Sequence, residues 1–208
     1  MHAGLTGNMA PVTAAVTPKG ERRRYALVSA AAELLCEGGF DAVRHRAVAR
    51  RAGLPLASTT YYFSSLDELV ENAVEHTVTV EAHQLRSRVR ELPRRRRSTG
   101  ATVEVLLDLL AGDHSNEQLI SRYERYIACA RHPELRSVER RLQQQRVSAV
   151  VEAMTRSGRC ARVDMVSALV CAVDGAVVSA LVADVVGARE SARATLIDVL
   201  DVLAPVNQ

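Results

Sequence analysis

Apolar residues recur every three or four positions along nearly the whole chain, and no stretch alternates as a half-buried strand would. Tyr25, Val28, Ala32 and Leu35 share one face at that spacing, which predicts a first amphipathic helix over 22–37. Gly38-Gly39 ends it, since glycine accepts the left-handed conformation of a helix C-terminus, and Phe40 returns an aromatic ring to the core. A second, short helix runs from about 45 to 52 and stops at Gly53, with the turn at Leu54-Pro55. A third covers about 56–62, with Pro55 at its entry, where a missing N–H costs nothing. Ser65 and Glu68 stand three apart and read as a capping box that opens a long fourth helix. Its apolar face is Leu66, Leu69, Val70, Ala73 and Val74, continuing through Val78, Ala82, Leu85, Val89 and Leu92. Pro93 and the run Arg94 to Arg97 break the pattern and read as a solvated loop.

Beyond the break, Thr102 to Leu110 predicts a short apolar helix. Ser115 and Gln118 form a second capping box before Leu119, Ile120, Tyr123, Ile127 and Ala130. Pro133 starts the next helix, which carries Leu135, Val138, Leu142 and Val150 to about Met154. Asp164 is read as the cap of a very apolar helix that Gly187 ends, and a last helix runs from about 190 to 203 on Leu196, Ile197, Val199, Leu200 and Leu203. The pattern therefore predicts an all-α chain of about nine helices. Met165 to Val186 is long and apolar enough to suggest a membrane span. Asp174 near its centre argues instead for a helix buried in a bundle or a subunit interface, because a central charge costs about 2.5–3.5 kcal/mol in a bilayer.

Composition adds three points. The first 18 residues are rich in Ala, Thr, Gly and Pro, lack a signal-peptide pattern, and make residues 1–20 a disordered arm. The net charge is +3, but residues 1–100 hold 15 Lys/Arg against 10 Asp/Glu while residues 101–208 hold 12 against 14. The basic excess thus lies in the half that contains the short second and third helices, as phosphate binding there would require. Cys36, Cys129, Cys160 and Cys171 are too far apart in sequence for a metal-site pair and read as reduced, buried thiols of a cytosolic protein.

The stretch from Arg44 to Phe63, RHRAVARRAGLPLASTTYYF, carries the candidate chemistry. Both Phe and three of the five Tyr lie at or before Phe63. A short basic helix, a Gly-containing turn and a short helix of hydroxyls and rings is the order of a DNA-binding helix-turn-helix, whose second helix enters the major groove. Ala49 and Gly53 are small where the helices would cross. Arg44, His45 and Arg46 cluster where a helix N-terminus can share a phosphate with them. Leu56, Ala57, Ser58, Thr59, Thr60, Tyr61 and Tyr62 form the candidate reading helix. Arg44, Arg46 and Tyr62 are expected on phosphates, and Leu56, Ser58 and Thr59 in the groove. Tyr61 and Tyr62 cannot both face DNA, and Phe63 belongs to the core. No carboxylate pair and no nucleophile beside a base is placed for catalysis, so the chain reads as no enzyme.

From about 22 to 80 the chain resembles the DNA-binding domain of TetR-family bacterial transcriptional regulators. The resemblance rests on the order Glu37-Gly38-Gly39-Phe40, Val48-Ala49, Ala52-Gly53, Thr60-Tyr61-Tyr62-Phe63 and Leu66-Asp67-Glu68-Leu69. His132 to Leu135 and Asp174-Gly175 are also similar to family members. The chain departs from the family at Pro55, where Ser is common, at Leu66, where a phosphate-binding Lys is common, at Thr60, commonly Tyr, and at Arg44, commonly a small hydroxyl residue. The resemblance implies a DNA-binding domain over 21–80 and a helical effector-binding and dimerisation domain over 81–208. It implies a cytoplasmic homodimer paired through the last two helices, about 164–203, on a double-stranded DNA operator. It further implies a small, largely apolar effector that releases the DNA, with Tyr123, Tyr126, Cys129 and Asp174 as candidate pocket residues, and no cofactor, metal or membrane. A ligand-independent regulator or activator is the alternative, with a small-molecule-binding helical enzyme the more remote one.

Overall fold

The computed structural model describes residues 17–183 and 186–205, which form nine α-helices with no strand among them. They are α1 (Pro18–Ala42), α2 (His45–Ala52), α3 (Ala57–Tyr62), α4 (Leu66–Glu91), α5 (Thr99–Leu110), α6 (Asn116–Arg131), α7 (Pro133–Arg156), α8 (Val163–Ala183) and α9 (Ala188–Leu203). The predicted arm over 1–16 lies outside the described residues. Residues 17–20 are not part of an arm: Thr17 caps α1 by accepting from the Gly20 N–H at 3.2 Å, and Pro18 opens the helix.

The helix ends follow local chemistry, with a few differences from the sequence reading. As the glycine pair predicts, helical geometry is lost at Gly38 and Gly39, the latter at φ 65°, and the short continuation of α1 to Ala42 follows that kink. Ser65 caps α4, but Glu68 reaches back to the N–H and Oγ of Ser64, both at 2.7 Å, rather than to Ser65. Ser115 and Gln118 close a full capping box on α6. Asp164 lies inside the first turn of α8, paired with Arg162 at 2.7 Å, and Gly187 caps the start of α9. Arg97 is not solvated as expected of the basic run. It is buried and donates to the carbonyls of Pro93, Arg95 and Arg156 and to Ser157 Oγ. Backbone bonds from Arg95 to Arg156 and from Arg97 to Ser157 tie this segment to the end of α7.

Two apolar cores organise the packing. One joins α1, α2, Phe63 and the first half of α4 to Cys129, Leu135, Val138 and Leu142 of α6 and α7. The other joins the end of α4 to α5, α7, α8 and α9, with Leu85 packed against both. The N-terminal head therefore has no closed core of its own, and α6 and α7 complete it. Among the described residues, α8 is the one helix long and apolar enough, by length and composition, to cross a membrane. Its Asp174 faces α6 and α7, and only 28% of its most apolar window is buried within the chain.

Candidate nucleic-acid interface and effector cavity

The reading head is built by α1, α2 and α3. Val48 and Ala49 bury one face of α2 against α1, and Arg51 is fixed to the same helix by Glu37 at 2.7 Å and Glu33 at 3.2 Å. Gly53 adopts φ 64° and its N–H returns to Ala49 and Arg50, closing α2. A Cβ at Gly53 would meet nothing within 4 Å, so glycine is needed for backbone conformation and not, as expected, for close helix crossing. Phe63 is buried beneath α3 with the Arg24 guanidinium 5.1 Å above its ring. Tyr25, expected on the buried face of α1, is exposed and rests edge-on against His76.

The candidate DNA-facing residues divide by exposure. Arg44, at the N-cap of α2, is exposed and held by Asp41 at 2.8 Å. Arg46 is exposed, while His45 is half-buried with Nδ1 enclosed and no hydrogen-bond partner. On α3, Leu56, Ala57, Thr60 and Tyr61 are exposed, with Tyr61 at 81%, and Ser58 is half-buried. Tyr62 packs on the head core and edge-on to Tyr61, which resolves the pair: Tyr61 points outward and Tyr62 leans inward. Thr59 overturns its expectation as a groove-facing residue. It is wholly buried and its Oγ1 donates to the Leu56 carbonyl at 2.8 Å, because the helix turns this position toward the core.

Behind the head, α1, α4, α5, α6, α7 and α8 line a cavity of about 600 Å³, within the range usual for small-molecule sites. Apolar walls come from Leu35, Leu85, Leu109, Leu110, Leu142 and Val178. Of the four candidates, Tyr123, Tyr126 and Asp174 line it. Cys129 does not: it is buried in the head core, where burial pushes its thiol up to about 11. The sequence reading missed the arginines of the lining, whose helical spacing resembles an ordinary solvated face. Arg146 donates from Nη2 and Nη1 to both oxygens of Asp174 at 2.8 and 2.9 Å, and Tyr123 Oη donates to the same carboxylate at 3.0 Å. Arg125 donates from Nη1 and Nη2 to Glu81 at 2.8 and 2.9 Å and from Nε to Glu139 at 3.3 Å. Burial pushes the Glu81 carboxyl up, but Arg125 outweighs it and holds the group below its ordinary value. Burial, then the Asp174 charge, pushes the Tyr123 phenol well up, so it stays a donor. Among the described residues no three His, Cys, Asp or Glu side chains are grouped to hold a metal ion.

Two family models match the chain. Residues 27–73 match "Bacterial regulatory proteins, tetR family", and residues 97–202 match "Tetracyclin repressor-like, C-terminal domain". Among solved structures, the multidrug binding protein EbrR complexed with imidazole is 29% identical, covers 89% of this chain and 97% of its own, and has a TM-score of 0.61. A member of the TetR family from Streptomyces coelicolor A3 is 29% identical, with 88% and 99% covered and a TM-score of 0.58. A putative transcriptional regulator from Saccharomonospora viridis, in complex with choline, is 14% identical, with 90% and 100% covered and a TM-score of 0.70, and bears on the fold alone. No curated protein matches.

Proposed function

This chain belongs to the TetR family of bacterial regulatory proteins, and from that premise we propose a cytoplasmic homodimeric repressor whose cavity ligand releases it from its operator. One observation carries the reading: Thr60 and Tyr61 of α3 and the arginines at the start of α2 stand exposed on a head whose core is completed by α6 and α7. Because α6 also lines the cavity, a ligand that moves it acts on the packing of the head. The comparison with EbrR, a multidrug binding protein complexed with imidazole, proflavin and ethidium, supports a ligand-binding role for the cavity.

The DNA-binding unit is assigned to about residues 21–80 and the effector and dimerisation unit to 81–208. Arg44 and Arg46, with His45 and Tyr62 beside them, are assigned to phosphates. Leu56, Ala57, Ser58, Thr60 and Tyr61 are assigned to the groove. Two heads bound to successive major-groove faces require half-site centres about 34–36 Å apart or a multiple of that. Dimerisation is assigned to α8 and α9. Ala168, Cys171, Gly175, Val178 and Val182 form an exposed stripe along α8 at alternating spacings of three and four, and Ile197 and Val202 are exposed on α9. So apolar a surface calls for a partner, and the isologous contact of a second copy supplies one.

Footprinting on the region upstream of the protein's own gene tests the reading. Two protected half-sites related by pseudo-dyad symmetry are expected. Uniform protection without half-sites would overturn it.

A further inference from the structure

The charges around the cavity do not balance evenly along its length. Arg146 pairs with Asp174, and Arg125 is shared between Glu81 and Glu139, so every carboxylate of the lining already touches an arginine, although the lining as a whole carries four arginines against three carboxylates. Arg88 and Arg122 are different. Arg122 donates Nη1 to the Leu110 carbonyl at 2.9 Å, and Arg88 donates Nη1 to the Asp108 carbonyl at 3.0 Å. No ion pair forms at either among the described residues, and the Asp108 carboxylate is taken by Arg189 at 2.6 Å. Both cations thus lean on the C-terminal end of α5, which offers only about half a negative charge. His114 lines the same end of the cavity, and burial followed by Arg122 pushes its imidazole below its ordinary value. Burial and then Arg146 push the Arg122 guanidinium down as well, outweighing the opposing charges of Glu81 and Asp174, neither of which forms an ion pair with it.

We propose that the effector is a monoanionic amphiphile, an apolar body ending in a carboxylate, whose carboxylate seats on the Arg122 guanidinium beside Arg88 and His114. The proposal rests on the reading of the cavity as the effector site. A carboxylate fits because Arg122 commits one Nη to the Leu110 carbonyl and keeps planar N–H donors for two oxygens. The apolar body would lie against Leu85, Leu109 and Leu142. A cationic ligand finds no carboxylate in this lining free of an arginine, and would have to displace Arg125 or Arg146 to reach one.

The test uses decanoate, decanamide and decylammonium, equal in length and different in charge, below their micelle concentrations. Thermal unfolding and operator release are measured on the same full-length protein. Decanoate is expected to raise Tm and release DNA, with decanamide weaker and decylammonium without effect. Arg122→Gln is expected to lose decanoate affinity by on the order of tenfold or more, and Arg122→Lys to lose less. Arg122→Met, without ligand, is expected to match or exceed the parent Tm, because it removes a half-buried cation that no carboxylate among the described residues contacts. A fall in that Tm would assign Arg122 a purely structural role and overturn the proposal. Binding of decylammonium, equal binding of all three, or binding of none would also overturn it. Release of DNA by decylammonium would do so while leaving the effector reading intact. A decanoate-induced rise in Tm without DNA release would instead sink the effector reading and leave the anion site standing.

Discussion

Arg44 shows how a single side chain can be committed weakly enough to change partners. Its bond to Asp41 lies at the solvent-exposed surface, and such pairs contribute little, so a phosphate can displace the carboxylate. Arg44→Ala should weaken binding to every DNA sequence and lower the salt slope by about one. An unchanged slope in salt titrations would remove its phosphate role. On the proposed reading, substitutions at the exposed Thr60 and Tyr61 are expected to change base preference, because Thr59, the residue that sequence favours, is buried with its hydroxyl on a carbonyl. Gly53 is a conformational requirement. Gly53→Ala should cost about 1–2 kcal/mol in urea unfolding, since the new Cβ meets no neighbour and only the positive φ is penalised. A much larger loss would restore the idea that two helices touch there.

At the scale of elements, α8 has two faces with opposite fates. Val166, Leu169, Val170, Val173 and Val177 are buried within the chain, while the Ala168–Val182 stripe is open. Val182 is 85% exposed and Ile197 53% exposed, an unfavourable arrangement for apolar side chains unless a second copy covers them. Val182→Asp combined with Ile197→Asp should convert dimer to monomer in sedimentation equilibrium without unfolding it. Persistence of the dimer would place the interface elsewhere. Cys171 offers a second readout because it lies in the stripe, whereas the exposed Cys160 does not. Maleimide should label Cys160 rapidly in either protein and Cys171 rapidly only in the double variant. Both thiols, and the half-buried Cys36, run counter to the expectation of four buried cysteines. Residue type alone did not place them, because a cysteine packs equally well inside a fold or between copies.

For the whole molecule, the Glu81–Arg125–Glu139 cluster ties α4, α6 and α7 together between the two cores. Arg125 is 3% exposed and Glu139 6%, so Arg125→Met should cost about 3–5 kcal/mol by leaving carboxylates buried and unpaired. The pH dependence has a definite sign. Glu81 binds its proton more weakly folded than unfolded, so its stabilisation is complete above the unfolded value of 4.5 and is lost as pH falls through the lower, folded one. Urea unfolding of the parent should therefore weaken below about pH 5, and Glu81→Gln should flatten that acid limb. An identical acid limb in the variant would mean that other carboxylates control it.

What the sequence determined by itself is what depends on near neighbours. Helical spacing, caps such as Ser115 with Gln118, and the Gly53 turn are set within four residues, so the nine helices and the helix-turn-helix were legible in order. What only the tertiary structure decided depends on which face of a helix meets another. Six-residue α3 has too few turns to reveal its buried side, which is why Thr59 read as a groove residue and Tyr61 and Tyr62 could not be separated. Arg97, Arg125 and Arg146 look like solvated charges in the chain, and their burial follows from carbonyls and carboxylates that distant helices bring to them. The cavity, and the imbalance that leaves Arg122 without a carboxylate, exists only where α4, α5, α6, α7 and α8 converge, because a charge is matched or unmatched by its neighbours in space.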